Sequence, residues 1–155
     1  MSFGSLSVKG RALRYLSQRE HSRFELERKL GRVVEDLPDA TAQQQIAAAL
    51  DDLAAKDLLS ESRTAASVLH SLGQRYGSRR LRQTLQLKGL APDLVSATLQ
   101  QAFGTELERA REVWRRRFGA PAADPAERAR QMRFLACRGF DGDVIHRVVR
   151  GSEDD

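Results

Sequence analysis

Residues 85–99, LQLKGLAPDLVSATL, and residues 135–149, LACRGFDGDVIHRVV, decide the fold, because one lies on the other at a shift of fifty positions. Leu85 falls on Leu135, Lys88 on Arg138, Gly89 on Gly139 and Leu90 on Phe140. Asp93 then falls on Asp143, Val95 on Ile145 and Leu99 on Val149. Each shared residue has a physical task. The leucine buries, the glycine leaves its helix in the left-handed region, and the next apolar residue packs back over that end. The aspartate enters the first turn of the following helix, where its charge suits the dipole. A fainter copy precedes both: at a shift of fifty-five, Ser22 falls on Gly77, Leu26 on Leu81 and Leu30 on Leu85.

Outward from these turns, nearly every segment reads as helix, with apolar positions three and four apart and few β-branched residues. The spacing predicts a helix over about 8–18 with Leu13 and Leu16 inward, and a second begun by a Ser22/Glu25 capping box and ended by Gly31. Pro38 and Asp39 mark the start of a third, which carries Ile46, Leu50 and Leu53 and ends in a turn through Asp57. Later helices begin near Ser60, at a capping Ser78, at Pro92, at Glu106, after the GAPAAD linker of residues 119–124, and at Asp141. The expected fold is all-α, three tandem three-helix repeats forming an elongated, curved array. The repeats are set at 1–58, 59–103 and 104–150, with 151–155 a disordered acidic tail.

Of 155 residues, 41% are hydrophobic and 30% charged, a balance that supports a packed core and argues against wholesale disorder. No apolar run approaches a membrane span, and the first residues lack the pattern of a secretory signal, so a cytoplasmic protein is expected. One cysteine, Cys137, leaves no internal disulfide or multi-cysteine zinc site, and it reads as a buried structural thiol. His21, His70 and His146 are scattered outside any metal-ligand spacing, and His21 reads as a local hydrogen-bonding residue. No phosphate-binding Gly-Lys loop is present. The expectation is a protein without enzymatic activity or cofactor. Net charge is +5, but residues 1–71 balance ten Lys/Arg against ten Asp/Glu, whereas 72–150 hold sixteen against eight. That second half should attract polyanions or acidic protein surfaces, less so as salt rises.

The segment Ala12–Leu30, in which Tyr15-Leu16 precedes Arg19-Glu20-His21-Ser22-Arg23-Phe24-Glu25-Leu26, resembles the start of RecX regulatory proteins. Tyr76–Leu81 with Leu87–Leu90 is similar to that family's second repeat, and Cys137–Phe140 to the end of its third. The likeness spans residues 12–150 in the family's order. One stretch departs from it: Leu59–Ala65 has Glu61 and Thr64 where the family carries an aspartate and a phenylalanine, so weaker packing is expected between the first two repeats. The resemblance implies a cytoplasmic regulator that binds RecA, mainly as a filament on single-stranded DNA, and a monomer is expected. It further implies lower strand exchange, ATP hydrolysis and co-protease activity by RecA, with weak nonspecific DNA binding compatible.

A filament groove is acidic and close to a bound polyanion, so the candidate contact residues are basic. They are Arg75, Arg79, Arg80, Arg82 and Lys88 in the middle repeat, then Arg115, Arg116, Arg117, Arg130, Arg133 and Arg138 in the last. Arginine forks suit carboxylates and phosphates equally, so residue type leaves the choice open. Tyr76, Trp114 and Phe118 are the candidate stacking rings, although Trp114 and Phe118, four apart, read better as core, as do Tyr15 and Phe134. Two other readings stay open. A helix-turn-helix DNA reader would use the helices after Gly89 and Gly139, which carry only His146, Arg147 and Arg150 for base contacts. A helical scaffold for an unrelated partner is the other.

Overall fold

The structure is a computed structural model, and it describes residues 5–103 and 106–151. Those residues form nine helices: α1 Val8–Gln18, α2 Arg23–Gly31, α3 Ala42–Ala55, α4 Glu61–Leu72, α5 Ser78–Leu87, α6 Pro92–Phe103, α7 Glu106–Arg117, α8 Pro125–Cys137 and α9 Gly142–Gly151. No strand occurs among them, only an isolated bridge between Leu37 and Ala40. The fold is all-α and built of tandem three-helix repeats. No helix of the described residues is long and apolar enough to cross a membrane. All of the expected acidic tail except Gly151 lies outside the described residues.

Two compact units make up the chain. The first runs to Ser67 and includes Lys88–Leu90. Its core joins Ala12, Leu26, Leu30, Ile46, Leu50, Leu53 and Leu59, with Val8, Tyr15, Leu16 and Val34 packed on it. Ala12 takes the inward place expected of Leu13, which is 37% exposed. A small residue there lets α1 lie close to its neighbours while Tyr15 and Leu16 flank the contact. The third helix starts later than Pro38 and Asp39 suggested. The bridge at Leu37 closes a turn first, and Thr41 then makes the capping box with Gln44. Asp57 turns the chain with a φ of 57°, a conformation aspartate tolerates better than most residues.

The Ser22/Glu25 capping box forms as expected. Ser22 Oγ also donates to the Lys88 carbonyl at 2.6 Å, and the Arg23 amide donates to Glu61 Oε1 at 2.7 Å. Thr64 is buried, and its hydroxyl donates to the Ser60 carbonyl at 3.0 Å. His21 is buried too, with Nδ1 3.0 Å from the Arg19 carbonyl and Nε2 2.9 Å from Lys29 Nζ. Burial first, then the charges of Arg19 and Lys29, lower its pKa against the pull of the carbonyl. The neutral ring fits: Nδ1–H donates and Nε2 accepts from the ammonium.

Glu25 is held ionised by its neighbours. Burial would raise its pKa, but hydrogen bonds from Arg19, the Ser22 amide and Lys88 outweigh burial and hold it at about 2, against an ordinary 4.5. A depressed carboxyl pKa stabilises the fold above the unfolded value and loses that stabilisation as pH falls through the folded one. Urea midpoints followed by circular dichroism should therefore drop between about pH 4.5 and 2. Glu25→Gln should flatten that drop and cost about 2–3 kcal/mol at neutral pH. An acid limb of equal steepness in the variant would refute this assignment.

The second unit comprises Val68–Leu87 and the chain from Ala91 onward. Leu81, Leu85, Val95 and Leu99 are buried along α5 and α6. Ala110, Leu135, Phe140, Ile145, Val148 and Val149 form the core of α7–α9, flanked by Trp114, Met132 and Phe134. Gly139, at φ 82°, ends α8 in the left-handed region, and Phe140 then folds back so that its amide meets the Leu135 carbonyl at 3.3 Å. Cys137, expected inside, is exposed. Leu135 holds the inward position, and two residues further round the helix points to solvent.

Candidate functional site

Within the second unit, the end of α7, the second half of α8 with its C-cap, and the bend after α4 with the first turn of α5 bring basic and aromatic side chains together. Phe134 in the last turn of α8 and Arg138 at its C-cap are four apart and share a face. Tyr76 instead stands in the bend before α5, which sets its ring against Arg80 in the first turn of that helix. The turn after α4 is held by the Tyr76 amide on the Leu72 carbonyl at 3.1 Å, and Phe118 is fixed by its amide on the Trp114 carbonyl at 2.8 Å. Arg80 and Arg138 both stack on Tyr76, at 5.2 and 5.5 Å from the ring centre. Arg138 also stacks on Phe134 at 5.2 Å, and Arg117 on the same ring at 5.7 Å. Arg117 and Arg130 each lie 5.8 Å from Phe118, whose ring meets Phe134 edge-on. The result is one alternating row: Arg80, Tyr76, Arg138, Phe134, Arg117, Phe118, Arg130.

Beside this row opens a cleft of about 700 Å³, walled by Arg75, Arg109, Arg116, Arg117, Arg138 and Phe134 among others. Arg75 donates to the Ser71 carbonyl at 3.3 Å. Arg109, which the sequence reading passed over, donates to the Ala102 carbonyl at 2.7 Å. Burial pulls its pKa down while the nearby Glu106 pulls it up. Its place three residues after Glu106, one turn along the same face, was the signal available in the sequence.

The predicted residues separate by how their charge is spent. Arg115 and Arg116 pair with Glu112, both at 3.0 Å, Arg79 with Asp141 at 3.4 Å and Arg130 with Glu127 at 3.4 Å. Lys88 belongs to the first unit, where Glu25 holds its ammonium at 3.0 Å, and only a fifth of its side chain is exposed. Arg82 and Arg133 are exposed and lie outside the cleft wall. Arg80, Arg117 and Arg138 differ from all of these. Among the described residues each rests on aromatic faces, and none is paired with a carboxylate. Trp114 packs on the core, its indole N–H donating to Gln131 at 2.9 Å, so it is no stacking ring. Phe134, read from the sequence as core, both packs inward and faces the cleft. No group of three or more potential metal ligands occurs among the described residues.

Comparison with known proteins places the chain among a defined set. Residues 60–99 match the model for the second three-helix domain of RecX, and residues 105–149 the model for its third. Over 145 residues the chain is 53% identical to the Regulatory protein RecX of Leptothrix cholodnii, covering 94% of this chain and 88% of that one. It is 45% identical to the protein of that name in Ralstonia nicotianae, covering 96% and 89%. Among solved structures, RecX from Lactobacillus salivarius superposes with a TM-score of 0.77 at 19% identity, over 96% of both chains. The shared fold extends to a second crystal structure of regulatory protein RecX, with a TM-score of 0.73 at 21% identity, over 96% of this chain and 72% of that one.

Proposed function

Since the chain belongs to the RecX family of regulatory proteins, we propose that it binds the RecA recombinase, mainly as a filament on single-stranded DNA, and restrains it. In this reading the protein works by occupancy, without chemistry of its own, in the cytoplasm. RecA's ATP hydrolysis, strand exchange and co-protease activity fall together, which contributes to control of DNA repair and the SOS response. Three-helix repeats at 1–58, 59–103 and 104–150 supply the scaffold.

One observation supports this reading above the others: among the described residues, Arg80, Arg117 and Arg138 rest on rings and are unpaired with carboxylates, and Arg117 and Arg138 line an open cleft. Arginines already neutralised by their own chain have little left for a partner, whereas these three keep their donors available. The test is a titration of RecA's DNA-dependent ATPase. The wild-type protein should inhibit at substoichiometric amounts. An Arg80→Glu/Arg117→Glu variant should need about tenfold more protein, a loss near 1.4 kcal/mol. No inhibition by the wild type at any ratio up to saturation rejects the proposal.

A further inference from the structure

On α1, Arg11, Arg14, Tyr15 and Gln18 follow one another at three- and four-residue steps, so they share one face of the helix. Leu6, just before the helix, and Val33, in the turn after α2, join them to line a hollow of about 310 Å³ that lies wholly within the first unit. Its walls mix apolar surface with positive charge. Leu6 is 49% exposed and Val33 47%, while the Tyr15 ring packs on the core and carries Lys29 Nζ 4.7 Å from its centre. Arg11 Nε donates to the Leu6 carbonyl at 3.3 Å, which tethers that guanidinium at the hollow, and Arg14 is exposed. Among the described residues neither arginine is paired with a carboxylate, and no acidic residue lines the hollow.

Single apolar side chains are ordinary on a protein surface, but two that line one basic hollow make an anchor point. Three kinds of partner carry the complementary charge. To a nucleic-acid strand the aliphatic walls offer nothing, and an ammonium already lies over the Tyr15 ring, so bases have no free platform. A membrane surface needs an apolar stripe that projects, whereas this one is recessed. A protein segment fits on both counts. The hollow is near the lower end of the volumes that ligand sites span, a size suited to one large side chain. Carboxylates beside that side chain would meet Arg11 and Arg14, which stand about 4.5 Å apart along the helix axis.

We propose that this hollow is a second docking site, which takes a protein partner through a short segment carrying one large apolar side chain between carboxylates. The apolar side chain enters against Leu6, Tyr15 and Val33, and the carboxylates meet Arg11 and Arg14. The reading of Arg80, Arg117 and Arg138 as the face for RecA neither requires this site nor supplies it.

The test titrates the full chain, without RecA, into a fluorescein-labelled peptide with a central phenylalanine and two aspartates on each side, followed by anisotropy. Replacing the phenylalanine by glycine should weaken binding about tenfold, the loss of one buried aromatic anchor. Arg14→Gln should weaken it about threefold, as one exposed ion pair is lost. Val33→Ser should do the same by removing an apolar wall, and Leu6→Ser, outside every helix, repeats that arm where circular dichroism shows Val33→Ser unfolded. Arg117→Gln, an equal charge loss at the cleft of the second unit, should change nothing. Equal weakening by Arg117→Gln and Arg14→Gln would overturn the proposal, as would a glycine probe that binds as tightly or a probe that never saturates. Displacement by oligothymidylate or by phosphatidylglycerol vesicles, as effective at matched charge as by unlabelled peptide, would assign the hollow to a strand or a membrane instead.

Discussion

Gly139→Ala is expected to destabilise the second unit by about 3–5 kcal/mol, by combining backbone strain with a steric clash. Gly139 has a φ of 82°, which costs a residue with a Cβ about 1–2 kcal/mol. An added Cβ would also stand 2.5 Å from Arg80 Cβ and 2.7 Å from the Arg80 amide nitrogen. Main chain cannot swing aside as a flexible side-chain tip can, and overpacking of this kind typically adds about 1–3 kcal/mol. The same turn accepts two amides from the start of α5, Gly77 on the Arg138 carbonyl at 2.9 Å and Arg79 on the Gly139 carbonyl at 3.0 Å. Displacing it loosens both. Gly77→Ala probes the junction from the other side, for its Cβ would lie 2.3 Å from the Gly139 carbonyl oxygen. Gly142 is the internal standard, with nothing within 4 Å of an added Cβ, and alanine there should be neutral or stabilising by about 0.5 kcal/mol. Urea denaturation of the three variants decides the matter. Gly139→Ala as stable as Gly142→Ala would mean the turn does not hold the repeats in place.

That junction was half legible in the sequence. The pattern Leu-x-x-basic-Gly-apolar identified Gly89 and Gly139 as left-handed helix ends, and both have that φ. A capping box is a local signal, so Ser22 and Glu25 could be read three residues apart. What the glycines accommodate is a long-range fact. Phe24 lies over Gly89 and Arg80 over Gly139, each from a segment distant in the chain, and no local rule predicts that pairing. Leu13 and Ala12 show the same limit: hydrophobicity favours the larger residue inside, while close packing selected the smaller.

The proposed working face was legible by composition and illegible by geometry. An excess of arginine in the second half predicted a basic surface, and four of the named arginines do line one cleft. Which charges remain available depends on where Glu25, Glu112 and Asp141 fall in space. Glu112 sits within one turn of Arg115 and Arg116, so that neutralisation could have been read from spacing alone. Glu25 and Lys88 meet only because the Gly89 turn packs on α2.

The second large effect belongs to Glu106, which opens α7 at 2% exposure. Its Oε1 accepts from the Ser78 amide and the Ser78 hydroxyl, both at 3.1 Å, and from the Asp141 amide at 3.3 Å. One carboxyl oxygen thus serves the first free amide of α5 and the residue that leads into α9, groups no helix can satisfy by itself. Glu106→Ala would strand these donors in the interior, at about 1–3 kcal/mol for each one left unmet. A total near 3–5 kcal/mol is expected, since a water entering the space could recover part. Glu106→Gln keeps an acceptor oxygen in place and should lose less than half as much. Glu61 holds the corresponding post in the first unit, but with a single bond, to the Arg23 amide at 2.7 Å, and at partial exposure. Glu61→Ala should therefore cost only about 1 kcal/mol, the ordinary value of a lost helix cap. Measured side by side, the order Glu106→Ala, then Glu106→Gln, then Glu61→Ala ties stability to donors left without an acceptor. Equal losses for Glu106→Ala and Glu61→Ala would mean that carboxyl charge at a helix start, rather than the three hydrogen bonds to Oε1, is what these positions supply.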